Sequence, residues 1–377
     1  MRIMFQTRTT IFSVPGGDTT QILKTQEYLA KQGVTVAVST ELTPDVSCFD
    51  VVHLFNLLRP QDVLVQARNA RRYNKPTALS TIHGDYSEYE RKARTLPVRL
   101  LYRVMSNAGI EYLKTAARAV VSGERHEGAR AYLRQGHVRS QCEILSLSDV
   151  LLPNSQSEAD RVQREFPEAL SKPYVVVPNA VDVGIFDPER VSVPRSLEQY
   201  QGCVLCVARI EVRKNQLNLV RAMKGLPWQL VIVGTPAPNH RAYYERVRRE
   251  APSNVHFLGR VEHPQLAQFY KTARVHCLIS WCESTGLSSL EAGVMGCRLV
   301  ITDKGDTRDY FGDRAIYCEP DSAMSIRQAI RTAYETPLPT DLASHIRTNF
   351  NWDQTAHMTL EGYRLALAQH ADLPVKP

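Results

Sequence analysis

Short apolar runs separated by amphipathic stretches fill the first 180 residues of the sequence. The runs that we predict as strands are Arg2–Phe5, Val34–Ser39, Val51–Phe55, Thr77–Ile82, Val150–Pro153 and Tyr174–Val177. Each run is apolar along most of its length rather than alternating with polar residues. This pattern is typical of parallel strands that are buried on both faces of a sheet.

Helical patterns lie between these runs. Asp62–Tyr73 is one, and Asp18–Gln32 is another. The expected inner face of the latter consists of Ile22, Leu23, Gln26, Leu29 and Ala30. The alternation of strand and helix predicts a doubly wound α/β sheet.

The same alternation starts again after a turn-rich stretch that runs from Pro178 to about Gln201. The second set of predicted strands is Val204–Ala208, Gln229–Val233, Val255–Leu258, Val275–Ile279, Arg298–Ile301 and Ala315–Cys318. The helices predicted between and after them are Gln216–Met223, His240–Glu250, Pro264–Thr272, Leu287–Met295 and Ser322–Glu335. Two such blocks predict two Rossmann-like domains that face each other across a central cleft.

No strand follows the last helical pattern, Trp352–His370. We therefore expect this helix to pack back on the first domain. The predicted domains are residues 1–180, completed by a C-terminal helix over 353–372, and residues 181–352.

The positive charge is concentrated in one segment. The 377 residues include 46 Lys and Arg against 39 Asp and Glu, a net charge of +7, and residues 91–140 alone carry +8. Hydrophobic residues at 43% and charged residues at 23% exclude a disordered chain. Within the basic segment, Pro97–Met105 interleaves arginines with apolar residues, as an interfacial helix does. A solvated helix with a core-facing stripe explains the same pattern.

The cysteines favour buried thiols over a redox or metal site. All eight are scattered, and Cys203-x-x-Cys206 lies in an apolar run where positions i and i+3 of a strand point to opposite faces. The sequence begins directly on a strand, and none of its apolar runs approaches the ~18 residues that a membrane span requires. We expect a cytoplasmic protein.

Several common nucleotide and metal motifs do not occur. The sequence has no G-x-G-x-x-G, no Gly-Lys pair of the kind a P-loop needs, no Asp-x-Asp and no H-x-x-x-H. A dinucleotide-dependent dehydrogenase, a P-loop kinase and a zinc hydrolase therefore lose support.

Two elements of the second domain carry candidate chemistry. Arg209 follows a predicted strand and Lys214 comes five residues later, so the two cations can bracket a diphosphate at the ligand edge of the sheet, or form a solvated basic turn. Glu283 and Glu291 flank a predicted helix start at Thr285–Gly286, whose backbone amides would face an anion. Taken singly, Glu283 is also explained as a negative charge favoured by the dipole at the start of the helix. Glu291 is likewise explained as a residue on the helix surface.

With these motifs the sequence resembles glycosyltransferase family 4, the retaining GT-B glycosyltransferases that use nucleotide-sugar donors. The resemblance spans most of the chain and is strongest over Val204–Asp321. The matching motifs are Glu283…Glu291 (E-x7-E), Ala208-Arg209-Ile210 with Lys214, Leu230–Gly234, Val255–Val261, Pro178–Asp182 and Gly16-Gly17.

The resemblance implies a role for each matching residue. Arg209 and Lys214 would hold the donor diphosphate, with help from the backbone amides of Thr285, Gly286 and Leu287. Glu283 would bind the donor sugar and Glu291 the ribose. Val261 would contact the nucleotide base. Gly16 and Gly17 would let the N-terminal loop approach the diphosphate, and His83 would lie near the transferred sugar. The implied catalytic set is His83, Arg209, Lys214 and Glu283.

The resemblance also implies retention of anomeric configuration, and no metal is required because the cations and helix amides stabilise the leaving group. Ser284 and Gly305-Asp306 depart from the family's usual glycines, which bears on the identity of the donor sugar. UDP- and GDP-sugars both stay open as donors. A basic amphipathic face favours a glycan or lipid-linked acceptor in surface polysaccharide or lipopolysaccharide synthesis, with peripheral binding to an anionic membrane surface through residues 91–140.

Other functions stay open at this stage. A nucleotide-sugar epimerase or a phosphorylase would have the same architecture, although nothing in the sequence supports the pyridoxal-phosphate lysine of a phosphorylase. A basic nucleic-acid-binding protein would use Tyr102, Tyr112 and Tyr132 among the arginines of residues 91–140. The apolar run Leu96–Met105 suits a membrane surface better than a base-stacking platform.

Overall fold

A computed structural model describes residues 1–93, 107–121, 127–337 and 340–371. The chain divides into two compact units. The first contains Met1–His83, Leu100–Asn179 and Trp352–Pro377, and the second contains Gly84–Arg99 and Ala180–Asn351.

The first unit is an α/β unit with a parallel sheet. Its described strands are β1 (Arg2–Gln6), β2 (Thr35–Ser39), β3 (Val51–Phe55), β4 (Thr77–Ser80) and β5 (Val150–Leu151). Its described helices up to residue 165 are α1 (Gly17–Lys31), α2 (Pro60–Arg72), α4 (Asn107–Val121), α5 (Glu127–Gln135), α6 (His137–Leu147) and α7 (Gln156–Glu165), with α3 (Ser87–Lys92) belonging to the second unit. The strand order is β2-β1-β3-β4-β5, and every pair is parallel.

Each face of the first sheet is covered by its own apolar core. Ile3 and Phe5 of β1 point into the core that contains Ile22 and Leu29 of α1, and Met4 points into the core formed with α2, α6 and α7. The predicted inner face of α1 is wrong in part. Leu23 and Ala30 are exposed, and Thr19, Gln21 and Thr25 are buried in addition to Ile22 and Leu29. The polar residues are tolerated there because Thr19 donates to the Ile11 carbonyl at 3.2 Å and Gln21 to Oδ1 of Asn154 at 2.8 Å.

The predicted strand over Tyr174–Val177 is also wrong. This segment runs beside β5 and makes an isolated bridge from Tyr174 to Leu151, with Val175 N–H donating to the Leu151 carbonyl at 3.0 Å and Val177 N–H to the Pro153 carbonyl at 2.8 Å. Pro153 has no N–H to return the second bond, so the ladder ends there.

The second unit contains a six-stranded parallel sheet in the described residues, with the order β11-β10-β9-β6-β7-β8. Its strands are β6 (Val204–Val207), β7 (Leu230–Val233), β8 (Val255–Gly259), β9 (Val275–Leu278), β10 (Arg298–Ile301) and β11 (Ile316–Tyr317). Its described helices after residue 180 are α8 (Arg195–Glu198), α9 (Gln216–Met223), α10 (Arg241–Glu250), α11 (Leu266–Thr272), α12 (Leu287–Val294), α13 (Thr307–Phe311), α14 (Ala323–Glu335) and α15 (Leu342–Asn349). Two parallel-sheet α/β domains confirm the predicted fold class.

The last helix, α16 (Trp352–Ala371), packs on the first unit as predicted. Tyr363 is fully buried, and its hydroxyl is 2.8 Å from Nδ1 of His53 in β3. The other ring nitrogen of His53 is 2.9 Å from Oγ of Ser80. Burial lowers the pKa of His53 to about 3, so the ring is neutral and holds the helix through hydrogen bonds rather than charge.

The two cysteines of the Cys203-x-x-Cys206 pair lie in different cores. Cys203 packs with Leu205 and Val231 on one side of the second sheet, and Cys206 packs with Val204 and Ile232 on the other. Burial raises the pKa of both thiols to about 12. The prediction of inert buried thiols is confirmed.

The basic segment is described only in part. The predicted interfacial stretch Pro97–Met105 and Tyr102 lie outside the described residues. In the described part, the ring of Tyr132 is fully buried and stacks on Tyr112 at 6.0 Å, and the Tyr112 hydroxyl donates to the Leu133 carbonyl at 2.8 Å. These two rings pack between helices α4 and α5 and do not form an exposed stacking platform. No helix in the described part of the chain combines the length and apolar character needed to cross a membrane.

Residues that follow His83 belong to the second unit. Glu88 of α3 pairs with Lys304 at 3.0 Å, and Lys92 pairs with Asp321 at 2.9 Å. The sequence does not indicate this excursion, because the segment is polar and its partners lie more than 200 residues away.

Candidate functional site

The candidate donor site lies in the second unit, where the strand order changes direction. β6 is flanked by β7 on one side and β9 on the other. Because β6 and β9 are parallel, the loops that follow them leave the same edge of the sheet. In open α/β sheets, ligands bind at such a switch point beyond the carboxyl ends of the strands. Lys214 and Glu283 lie in these two loops.

The loop after β6 is shaped by Asn215. This residue has a left-handed backbone (φ 60°) and is the N-cap residue of α9. Its side-chain amide donates to the carbonyls of Ile279 at 3.2 Å and Pro320 at 2.7 Å. The short 3₁₀ turn Val212–Lys214 just before it therefore has a fixed position beside the loop after β9.

The loop after β9 is held by backbone bonds to the loop after β10. Glu283 N–H donates to the Lys304 carbonyl at 3.0 Å, and Asp306 N–H donates to the Glu283 carbonyl at 2.9 Å. Gly305 lies between them with a left-handed backbone (φ 90°), and a Cβ atom at this position would lie 2.0 Å from the Glu283 carbonyl oxygen. Only glycine allows this approach.

The side chains of Glu283 and Lys214 form an ion pair at this edge. The Glu283 side chain is 7% exposed, and its Oε1 is also 3.5 Å from Nη1 of Arg213. Burial opposes ionisation of Glu283, but Lys214 and Arg213 together hold its pKa below the usual value. Burial lowers the pKa of Lys214, and Arg213 adds to this effect, although Glu283 opposes it. The lowered pKa of Glu283 keeps this carboxylate ionised at neutral pH.

Arg209 lies at the outer end of the same loop. Its side chain is 44% exposed and approaches Glu211 at 3.8 Å, and Glu211 in turn pairs with Arg213 at 3.0 Å. Sequence reasoning missed Glu211 and Arg213. The signal that could have found them is their position between Arg209 and Lys214 in one short loop.

The predicted helix start after Glu283 is present. Gly286 has a left-handed backbone (φ 75°) and is the N-cap residue of α12, which begins at Leu287. Thr285 is buried. In the first turn Ser289 N–H already donates to the Gly286 carbonyl at 2.7 Å, and the N–H groups ahead of it lie at the positive end of the helix dipole, which suits an anion.

Glu291 is buried on the same helix and has two partners from the protein. Its Oε1 is 2.7 Å from Nε2 of His263, and its Oε2 accepts a hydrogen bond from the Tyr270 hydroxyl at 2.8 Å. Burial and the nearby carboxylate raise the pKa of Tyr270 well above its usual value, so the hydroxyl remains a donor. Val261 is half-buried beside the core that contains Tyr270. His263 and Tyr270 were not predicted from the sequence.

His83 lies in the first unit, three residues beyond the end of β4, and is buried. Its Nε2 is 2.7 Å from Oε2 of Glu165. The preceding residue, Ile82, has φ 43°, a left-handed conformation that is rare for a β-branched side chain and that occurs mainly at constrained functional positions.

Glu158 organises the loop that carries His83. It is fully buried and accepts hydrogen bonds from the backbone N–H of His83 at 2.7 Å, from Asn154 N–H at 3.0 Å and from the Thr81 hydroxyl. Sequence reasoning missed Glu158. The Ser155-x-x-Glu158 spacing at the start of α7 is the signal, since Ser155 caps this helix.

Gly16 and Gly17 lie at the start of α1. Gly16 is the N-cap residue with an extended backbone (φ −150°), and its N–H donates to the Thr19 hydroxyl at 2.9 Å. The backbone of Gly16 does not require glycine. A Cβ atom there would meet only the flexible side chain of Asp18, at 2.9 Å.

The second unit therefore brings together Lys214 and Glu283 directly, and Arg209 through Glu211 and Arg213. Glu291 and the α12 amides lie on the helix that follows Glu283. His83, Gly16 and Gly17 lie in the first unit. Among the described residues, no three His, Cys, Asp or Glu side chains are grouped so that they could hold a metal ion.

Residues 194–350 match the family described as glycosyl transferases group 1. This part of the chain is therefore similar to the group 1 glycosyl transferases. The match includes Arg209, Lys214, Glu283 and Glu291, so the resemblance indicated by these motifs is confirmed.

Solved structures support the fold of both units. Sucrose-phosphate synthase from Thermosynechococcus elongatus has a TM-score of 0.72 at 16% identity, with 98% of this chain and 99% of that chain covered. Anabaena Alr3699/HepE in complex with UDP and glucose has a TM-score of 0.66 at 14% identity, with 96% and 98% covered. Both are GT-B glycosyltransferases, and the predicted GT-B fold is confirmed.

The sequence relatives align with this chain over only part of their length. A D-inositol 3-phosphate glycosyltransferase from Kineococcus radiotolerans is 27% identical over 279 residues, which cover 63% of this chain and 61% of the relative. The chain thus spans about three fifths of the length of this curated relative.

We predict that Gly305→Ala destabilises the second unit far more than Gly296→Ala. The two glycines have φ 90° and 89°, but a Cβ atom at Gly296 meets no neighbour. Backbone strain alone costs about 1–2 kcal/mol, and the clash with Glu283 adds to it, for a total above about 3 kcal/mol. Urea denaturation measures both values. Equal losses would contradict the close approach.

We also predict that Glu158→Gln lowers the free energy of unfolding of the first unit by about 2–3 kcal/mol, because the amide group cannot accept all three hydrogen bonds in the buried site. Glu165→Gln is the matched control, since Glu165 also contacts this region but is 44% exposed. Its expected cost is below about 1 kcal/mol. A control variant as unstable as Glu158→Gln would refute the role of Glu158.

Proposed function

We propose that the protein is a retaining glycosyltransferase that transfers a hexosyl group from a nucleotide-sugar donor to a glycan or lipid-linked acceptor. The observation that carries the proposal is the buried Lys214–Glu283 pair at the switch point of the second sheet, within the residues that match the group 1 glycosyl transferases. Cations and a carboxylate at this edge suit a ligand with a diphosphate next to sugar hydroxyl groups.

Each part of the donor has a proposed partner. Arg209, Lys214 and the first amides of α12 (Thr285, Gly286, Leu287) bind the diphosphate. Glu283 binds hydroxyl groups of the donor sugar. Glu291 binds the ribose, and Val261 contacts the base. UDP-glucose is the first donor to test, because Alr3699/HepE is described in complex with UDP and glucose.

The proposed chemistry follows the movement of charge. The bond between the anomeric carbon and the diphosphate oxygen breaks, and the acceptor oxygen bonds to the same face of the sugar. The acceptor proton passes to the departing phosphate. Arg209, Lys214 and the α12 amides stabilise the growing negative charge without a metal ion. In this proposal the role of His83 is to contact the transferred sugar, and that of Gly16 and Gly17 is to contact the diphosphate.

The acceptor proposal has two candidates. The basic segment 91–140 supports a lipid-linked glycan of surface polysaccharide or lipopolysaccharide synthesis, met at an anionic membrane surface. The relatives named D-inositol 3-phosphate glycosyltransferase favour a small phosphorylated cyclitol or sugar as the second candidate. A nucleotide-sugar epimerase is the rival activity, and it would convert the donor with no acceptor present.

We predict that the protein binds UDP or GDP and hydrolyses the matching nucleotide sugar slowly without an acceptor. Isothermal titration calorimetry with UDP, GDP, UDP-glucose and GDP-mannose, with EDTA present, identifies the base. Product analysis by NMR then separates transfer with retention from epimerisation. Recovery of an epimerised nucleotide sugar, or a trapped glycosyl–enzyme adduct, would overturn the proposed mechanism.

We predict different defects for the two glutamates of the E-x7-E motif. Glu291→Gln weakens nucleotide affinity about tenfold, because it loses a charge-assisted bond to the ribose. Glu283→Gln keeps nucleotide affinity within about threefold and lowers kcat about 100-fold, because its bonds go to the reacting sugar. Tyr270→Phe is the control, since it removes one partner of Glu291 but keeps the carboxylate. Equal nucleotide affinity in both glutamate variants and wild type would contradict these roles.

A further inference from the structure

Five charged side chains form a row of alternating sign along the donor edge of the second sheet. We define the charge row as Arg209, Glu211, Arg213, Glu283 and Lys214. Neighbours in the row are Arg209 and Glu211 at 3.8 Å, Glu211 and Arg213 at 3.0 Å, Arg213 and Glu283 at 3.5 Å, and Glu283 with Lys214. Cations occupy both ends and the centre, so the row carries one net positive charge.

The two carboxylates are the most buried members of the charge row. The side chains of Glu211 and Glu283 are 11% and 7% exposed. A buried carboxylate that loses its counter-ion is strongly destabilised, so each must keep at least one cation when a ligand binds. The end cations, Arg209 and Lys214, are those proposed for the donor diphosphate.

Arg213 is fixed at the centre of the charge row. Its Nη1 donates to the Cys282 carbonyl at 2.9 Å and its Nη2 to Glu211, while its own carbonyl accepts the Trp281 N–H at 2.9 Å. The planar fork of an arginine can serve both carboxylates at once, which a lysine ammonium at this position cannot do with the same geometry. Burial opposes its charge, but Glu283, Tyr86 and Glu211 outweigh that and raise its pKa.

We propose that Arg213 is a positioning residue that acts as the shared counter-ion of Glu211 and Glu283 and so releases Arg209 and Lys214 to the donor diphosphate. This inference rests on the proposed function. When the diphosphate binds, the two end cations turn toward it, and both carboxylates remain neutralised by Arg213. Without Arg213, the carboxylates hold the end cations and compete with the ligand.

The competition predicts an unusual rescue. Arg213→Gln removes the central cation and leaves Glu211 to retain Arg209 and Glu283 to retain Lys214. A second substitution, Glu211→Gln, removes the carboxylate that retains Arg209. The double variant Glu211→Gln/Arg213→Gln has the same net charge as the wild type in the charge row. It therefore regains part of the lost affinity although it lacks two members of the row.

The experiment measures the affinity of inorganic diphosphate and of UDP by isothermal titration calorimetry at one fixed ionic strength. Arg213→Gln is expected to weaken the binding of both at least about tenfold. Arg213→Lys keeps the charge without the fork and falls between Arg213→Gln and wild type. The control is Arg241→Gln, because Arg241 pairs with Glu245 on the surface of α10 and is 89% exposed. It should leave both affinities unchanged.

The double variant separates a counter-ion from a merely structural residue. Recovery of at least about threefold in diphosphate affinity over Arg213→Gln supports the proposal. If the double variant binds as weakly as Arg213→Gln or more weakly, Arg213 acts only by holding the loops and the proposal is overturned. Thermal unfolding of every variant accompanies the titrations. If Arg213→Gln does not fold, Arg213→Lys is compared with wild type: weaker diphosphate binding at unchanged thermal stability supports the proposal, and unchanged binding overturns it.

The readouts also separate this inference from the proposed function. If the wild type binds inorganic diphosphate with the predicted pattern among the variants but turns over no nucleotide sugar, the proposed function fails and the role of Arg213 stands. If the wild type turns over a nucleotide sugar while Arg213→Gln keeps full diphosphate affinity, the proposed function stands and the role of Arg213 fails. A wild type that binds neither ligand overturns both.

Discussion

The buried ion pair between Lys214 and Glu283 is the interaction on which the donor edge of the second unit depends. A carboxylate with 7% exposure needs cations or hydrogen-bond donors in contact, and Glu283 has two cations, both from the loop after β6. That loop is fixed by the amide of Asn215, and the loop after β9 is fixed by the backbone approach at Gly305. The hydrogen bonds of a neutral side chain and a close backbone approach thus determine where the charged side chains meet.

Two other buried carboxylates have different partners. Glu291 accepts from a tyrosine hydroxyl and pairs with a histidine, and Glu158 accepts from backbone N–H groups and a hydroxyl. Neither contacts a lysine or arginine among the hydrogen bonds and ion pairs of the described residues. Buried carboxylates are thus compensated by cations in some places, such as Glu283 beside Lys214 and Asp149 beside Arg71, and by hydrogen-bond donors in others.

The strands were predictable because each is an apolar run between polar loops, and β3 and α9 have the bounds that the pattern indicated. Lys214 and Glu283 were predictable because each follows such a run and the carboxyl ends of parallel strands meet at one edge. Arg213 was not, since its role depends on which way a loop side chain turns. Likewise, the strand expected at Tyr174–Val177 ends early because of Pro153, and the inner face of α1 includes polar residues that hydrophobic periodicity passes over.

The anchoring of α16 has a consequence for how the chain is made. The hydrogen bond between His53 and Tyr363 joins residues separated by 310 positions. On the ribosome, β3 is synthesised long before its partner helix, so the face of the first sheet that α1 covers in part lacks α16 until residues 180–351 have emerged. The second unit therefore has the opportunity to fold first, although it follows in the sequence, and a chain cut short before Trp352 would leave the earlier unit, rather than the later one, incomplete.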